Sequence, residues 1–443
     1  MAVVFAGACR ARPAARGEGA LGRRVPEAPQ ASASPAVAAP DADAVDSLRA
    51  LGYVGFTPVG GEGHGSGVVV HDRRASYPGY NLFTNAQLCS AALVDADGAL
   101  QNFWETSPCG RWSNAELLPT GDLLVAGEEP AAHRRDPEGR TAGRYLLRLT
   151  WDGHVVWKRP LPTHHDVQLG PSGNLLTLYA VYRKIPEIDA TRPVRDNRIA
   201  VLSPEGRLLE SASLYDLIKA SPGVLKLRRV RGNGDKEIDL FHANSLEWLR
   251  PTARGAAAAI YSTSNVLVSI RHQDAAVIVD WPRRRLVWAW GQGEVSGPHD
   301  ATMLPSGNIL LFDNGLGRGW SRVIEVDPVS RRVVWEYRAP VPKEFFTASR
   351  GSNQRLPNGN TLIAQSDAGR AFEVTPGGRI VWEFWNPFGN AAGERATIVR
   401  IKRYERAEID GLVQRLGRGR RQAPVALLTA GNRASAAPPS PPR

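Results

Sequence analysis

Two histidines stand at the same place in two near-identical strings. His165 opens HDVQLGPSGNLLTL and His299 opens HDATMLPSGNILLF, 134 residues further on. Each lies eight residues before the glycine of the turn that follows it. Imidazole is the side chain whose ordinary pKa, about 6.5, puts a change of charge near neutral pH. A histidine repeated in register is therefore a hydrogen-bonded strand residue, a metal ligand, or a group for acid–base and covalent chemistry. A third histidine, His242 in DLFHANSLEWL, opens the corresponding stretch between the two. The same offset places Ser113 and Gly351 in two further copies, so the repeat does not itself demand histidine.

The elements that must position these rings are short strands. One marker is a tight turn: LPTGD at 118–122, GPSGN at 170–174, LPSGN at 304–308 and LPNGN at 356–360. Proline presets φ, and glycine permits the left-handed conformation of a bulged hairpin turn. A second marker is an apolar run with a large aromatic: LQNFW at 100–104, VVW at 155–157, LVW at 286–288, VVW at 333–335 and IVW at 380–382. A weaker copy, EGRLLES, covers 205–211. The second marker counts six units spaced 47 to 53 residues apart, except for one long step from Leu209 to Trp288. Four short strands with their turns need about 40–50 residues, the size of a propeller blade. The pattern predicts an all-β fold, a six-bladed β-propeller closed by an end strand such as TIVRIKRY at 397–404. The innermost strand of each blade lines the channel, which would bring His165, His242 and His299 to one axis.

The ends read differently. Residues 10–65 are a low-complexity tether with one short helix at 47–54, the propeller spans 66–417, and 418–443 is a disordered basic, proline-rich tail. The net charge is +11, and much of the excess sits at the ends, as in RLGRGRR near 415–421. No RNA-binding or zinc-finger signature accompanies it, so the basic ends predict solvated faces rather than nucleic-acid readers. No run of 18 apolar residues exists to cross a membrane as a helix. Residues 1–9, MAVVFAGAC, resemble the end of a bacterial lipoprotein signal without its basic front, with Cys9 as the lipidation site and a membrane tether as the consequence; a chance match is the other reading. Cys89 and Cys109 lack metal-ligand spacing. In an exported protein their disulfide would stabilise by about 3 kcal/mol, and in the cytosol they would be two thiols.

The ordered strings YPGYNLF, HHDVQLGPSGNLLTL, DLFHANSLEWL, SIRHQDAAVIVD, GPHDATMLPSGNILLFDNG and GSNQRLPNGNTLI resemble the bacterial arylsulfate sulfotransferases across roughly 66–405. The resemblance implies a six-bladed propeller that moves sulfuryl groups between phenols without the nucleotide donor PAPS. It implies His299 as a transiently sulfated nucleophile, assisted by His165, His242 and Arg271, with aryl sulfates and phenols as partners and neither metal nor other cofactor required. Protonated His165 or His242 would neutralise the departing phenolate. Asn244 is a candidate substrate-orienting residue. Periplasmic or cell-surface localisation, with a lipid anchor at Cys9 if the signal reading holds, is the matching expectation.

Strict strand alternation assigns His164 and His272 to the faces opposite His165 and Arg271, as structural residues. The Asp313–Asn314–Gly315 turn is likewise read as structural. The chain departs from characterised members in carrying a tether where they have a folded N-terminal β domain that supports dimerisation, which leaves oligomeric state open. A basic insertion at about 212–238 is expected near one channel mouth. Two other functions fit the same residues: a non-catalytic propeller that binds an anion or a protein, and a histidine metal site.

Overall fold

The computed structural model describes residues 54–59, 65–130, 143–230, 236–255 and 258–420. Cys9, the tether through 53 and the tail beyond 420 lie outside the described residues. The described chain forms six antiparallel blade sheets in a ring, and a two-stranded sheet in which Phe56–Thr57, read from sequence as part of the tether, pairs with Arg395–Ala396. Blades II to V each use four consecutive strands, running outward from Arg111–Leu117, Thr163–Leu169, Ala243–Trp248 and His299–Met303. Blade I takes its inner strand, Ile398–Tyr404, from the end of the chain and pairs it with Tyr80–Asn85. Blade VI begins at Ser352–Arg355 and gains a fifth, outer strand, Gly67–His71, from the beginning. Both ends of the described chain thus fasten the ring, one on an inner edge and one on an outer edge.

The two sequence markers have separate physical jobs. The proline–glycine turns join inner to second strands. Gly121, Gly173, Gly307 and Gly359 all hold φ between 78° and 94°, which only glycine adopts without strain. Blade I lacks this turn because its inner strand comes from elsewhere in the chain, and in blade IV residues 249–264 replace it. The aromatic marker lies on the outer strands. Trp104, Trp288, Trp335 and Trp382 each donate an indole N–H to a backbone carbonyl of the next blade, at Thr150, Pro328, Pro376 and Ala96. Each is a pin between neighbours, with an apolar body and a satisfied polar tip. Six apolar clusters fill the six inter-blade interfaces, so no single core exists and the ring is stabilised wedge by wedge.

The long step between units III and IV holds a short helix, Leu214–Lys219, capped by Ser213 accepting from the Asp216 N–H. Its Leu214, Leu217 and Ile218 are buried in the interface between blades III and IV. Beyond it, Arg228 bonds Gln273 and Asp274 at 2.8 Å each, beside the turn that carries Arg271. The insertion braces that turn. A second helix, Arg406–Leu416, follows the closing strand and buries Ile409 and Leu412 with side chains of blades I and II. Cys89 and Cys109 are joined by a disulfide, their Cα atoms 6.2 Å apart.

Candidate functional site

Five of the six inner strands break their pairing register, at Ser113, His164–Asp166, Asn244, Asp300–Ala301 and Val399–Arg400. A bulge leaves extra residues unpaired and re-aims their side chains. Here they turn into the channel: Ser113, His164, His165, Asn244, Asp300 and Arg400 all line one cavity of about 80 Å³. His242 and His299 line it as well, and among the described residues the aromatic ring beside the histidines is Trp112. The backbone conformations behind the two aligned histidines differ. His165 itself has positive φ (63°), whereas in blade V the left-handed residue is Asp300 (50°), one position after His299. Equal offset from the turn brings both rings to the cavity without making their settings equal.

His299 is buried, and its Nδ1 lies 2.7 Å from Asn314 Oδ1 and 3.0 Å from Gly297 O. Both partners only accept, because Asn314 Nδ2 is turned to the Thr347 carbonyl. The proton is therefore on Nδ1, and Nε2 keeps its lone pair. Nε2 is buried without a hydrogen-bond partner. Burial, and then Arg271, push the pKa down to about 3, so the ring is neutral at any ordinary pH. The structural reading of the 313–315 turn is thus corrected for Asn314, which sets the tautomer of His299. Asp313 is structural, pairing with Arg318 and Arg322 at 2.8 Å each.

Arg271 lies 2% exposed on a 3-10 turn, Arg271–Gln273, not on a strand. The alternation rule therefore fails for its neighbour, and the assignment of His272 to an opposite face is corrected. His272 Nδ1 donates to the Asp239 carbonyl at 2.6 Å, and its Nε2 accepts from Arg271 Nη1 at 3.1 Å. His242 Nδ1 meets the Asp239 carboxylate at 2.6 Å, and Arg195 pairs with the same carboxylate at 3.1 Å. Burial alone would raise the pKa of Asp239, but His242 and Arg195 outweigh it and hold the group ionised. Sequence reasoning missed Asp239, three residues before His242 in DLFH; a carboxylate at that spacing from a site histidine was the available signal. Asn244 donates from Nδ2 to Pro298 O at 2.8 Å, while its buried Oδ1 has no partner.

His164 is corrected in the same way, for a different reason. The bulge spanning 164–166 turns its ring into the cavity, edge-on to His165 with centroids 4.9 Å apart. The row continues from His165 to His242 at 5.0 Å and from His242 to His272 at 4.7 Å. Burial, reinforced by nearby guanidinium and imidazole groups, holds His164 and His165 well below the usual imidazole range. His242 is lowered too, burial outweighing Asp239. The expectation of a protonated His165 or His242 does not hold for the ligand-free site, where these rings are neutral at pH 7. A proton would enter with an arriving anion, whose charge offsets the surrounding arginines.

Below the histidines an ion pair crosses the channel. Arg400, from the closing strand, reaches Asp166 at 2.8 and 3.2 Å and Asp300 at 2.7 Å. Asp166 also accepts from Asn114 and from the Leu246 N–H, and Asp300 accepts from the Asn353 N–H. Arg400 and Asp300 border both the histidine cavity and a second cavity of about 660 Å³ on the far side. The ion pair stands between the two cavities.

Among the described residues one group has metal-ligand proximity, Asp239, His242 and His272, with ligand atoms within 4.8 Å of one another. Its lone pairs are already committed: the Asp239 carboxylate to Arg195 and His242, His272 Nε2 to Arg271. A cation there would have to displace a guanidinium, so these residues fit an anion better than a metal.

Several solved structures are similar to this chain. A protein of unknown function from Bacteroides caccae is 14% identical over 73% of this chain and 98% of its own, with a TM-score of 0.46. A streptogramin B lyase is 12% identical over 76% and 88%, with a TM-score of 0.42. The virginiamycin B lyase of Staphylococcus aureus is 12% identical over 73% and 85%, with a TM-score of 0.41. No curated protein matches the chain. Residues 144–387 match the model of the arylsulfotransferase (ASST) family.

Proposed function

This chain belongs to the arylsulfotransferase family, and we propose that it moves a sulfuryl group from a phenolic sulfate ester to an acceptor phenol by way of a sulfated His299. The observation that carries the reading is the fixed tautomer of His299. An imidazole whose Nδ1 proton is committed to Asn314 and Gly297 presents Nε2 as a neutral nucleophile at the cavity. A sulfate monoester is an anion and repels attack, so it needs positive donors around its oxygens. Arg271, bonded to His272 and the Ala348 carbonyl beside the cavity, is the guanidinium proposed to turn toward those oxygens when the anion binds.

In the first displacement the Nε2 lone pair bonds to sulfur and the bond from sulfur to the phenolic oxygen breaks. The phenolate oxygen takes the proton that an imidazole of His165 or His242 picked up from solvent as the anion bound, so phenol leaves and the imidazole is neutral again. The sulfated ring carries its positive charge toward Nδ1, where Asn314 Oδ1 and Gly297 O accept the hydrogen bond. In the second displacement an acceptor phenol gives its proton to the neighbouring imidazole as its oxygen bonds to sulfur. Nε2 leaves with its electron pair, and the sequence is ping-pong. One proton enters from solvent with the bound anion and the acceptor phenol returns one, and the proposed reaction uses neither PAPS nor a metal.

The Cys89–Cys109 disulfide fits an oxidising compartment, the periplasm or cell surface, with a lipid at Cys9 as the proposed tether. The test is direct. After incubation with an aryl sulfate and no acceptor, peptide mass spectrometry should find a sulfate adduct on His299. His299→Ala should release phenol no faster than buffer; undiminished transfer by that variant would sink the proposal.

A further inference from the structure

One wall of the cavity holds polar groups that the transfer chemistry leaves unused. His164 is 2% exposed, yet neither of its ring nitrogens has a hydrogen-bond partner. One nitrogen of any imidazole carries a proton, so a donor is buried and unsatisfied there. Arg144 has a side chain only 10% exposed. It bonds Glu128 through Nη2 at 2.9 Å, while its Nε and Nη1 are buried without acceptors. A buried polar group left without a partner destabilises the fold unless something fills it. Both side chains line the same cavity as His242 and His299. They come from neighbouring blades: Arg144 opens the third strand of blade II, and His164 lies on the inner strand of blade III.

These groups stand apart from the sulfuryl end. From His164 the ring row runs to His165 and then His242, in centroid steps of 4.9 and 5.0 Å, before Arg271 and His272 are reached. The two sets of donors are thus separated by the rings of His165 and His242. Three unsatisfied donors at the far end, one set on a permanent cation, call for an acceptor-only group with two oxygens, which is a carboxylate.

We propose that Arg144 and His164 form a second anion subsite, which takes a carboxylate carried on the ring of the aryl sulfate across from the transferred group. This rests on the sulfuryl-transfer reading above, and it narrows the substrate class to carboxylated phenols. Phenyl sulfates without a ring carboxylate would leave the orphan donors unfilled.

The test compares the sulfate esters of 3- and 4-hydroxybenzoate with those of the matching hydroxybenzamides, which have the same shape without the charge. The wild-type protein should favour the better carboxylate by at least tenfold in kcat/KM. Arg144→Met and His164→Leu should each bring that ratio to about one, and Arg144→Lys should keep a preference. Calorimetric binding of the free hydroxybenzoates and hydroxybenzamides to the wild-type protein reads the same difference without turnover. If neither ester transfers but the carboxylates bind at least tenfold tighter, the transfer reading fails and the subsite stands. Transfer with equal kcat/KM for the two esters, or a ratio unchanged in Arg144→Met, overturns the subsite. Should a variant not fold, the wild-type ratio and the binding comparison decide.

Discussion

At the scale of single residues, the site depends on which nitrogen of each imidazole holds its proton. Four oxygens, from Asp239, Gly297 and Asn314, decide this for His242, His272 and His299, and none of those three residues is one that periodicity selects. Asn314 is the clearest case. It closes a turn, its side chain ties two segments together, and it also fixes His299 in the tautomer that can attack. Asn314→Leu removes the acceptor while keeping most of the volume. It should lower kcat by roughly 10- to 100-fold, the worth of a hydrogen bond to a group that becomes charged, with KM for the donor little changed. Steady-state kinetics with a single aryl sulfate checks the split. A sulfate adduct should still form on His299, more slowly.

Among elements, the inner strands explain why sequence reasoning placed some residues correctly and others not. His165, His242, Asn244, Arg271 and His299 were legible from repeat register and from the resemblance, and the structure brings His165, His242, Asn244 and His299 to one cavity with Arg271 bonded beside them. His164 and His272 were placed on the wrong faces because alternation assumes a regular strand. One lies in a bulge and the other in a 3-10 turn. Arg400 was invisible for another reason. Its partners Asp166 and Asp300 are 234 and 100 residues away, and no local pattern marks a residue that must cross the channel. Arg400→Met would leave two carboxylates buried without their cation. It should destabilise the ring by about 3–5 kcal/mol, read from urea unfolding. Adding Asp166→Asn and Asp300→Asn should restore part of that loss.

For the whole molecule, closure and burial govern stability. Five buried or half-buried imidazoles, His164, His165, His242, His272 and His299, all lie below the ordinary range. Their unfolded pKa is about 6.5, so below that pH the unfolded chain takes up protons that the folded one refuses. Stability is full above about pH 6.5 and falls as the pH drops, by about 2 kcal/mol at pH 5 for each ring that stays neutral. For His299 the loss continues until its folded value of about 3 is reached. Thermal melts from pH 7.5 to 4.5 should show this slope, and His164→Leu should make it shallower. Reducing the Cys89–Cys109 disulfide releases a loop of about 20 residues and should cost about 3 kcal/mol, seen as a lower melting temperature in a reductant.

The sequence by itself determined the number of blades, their turns and the end strand that closes the ring. These depend on short-range rules: proline and glycine at fixed turn positions, a period of two, and one large aromatic per unit. It also brought the principal histidines into register. Tertiary structure decided everything that depends on contacts between blades. Asp239 pairs with His242 and Arg195, Arg400 reaches Asp166 and Asp300, and Arg144 meets His164 on one wall only once six wedges have closed around an axis. The bulges that aim these side chains are a property of strands packed edge to edge at that axis. A linear pattern records which residues are present and at what spacing, and the ring sets which of them face each other.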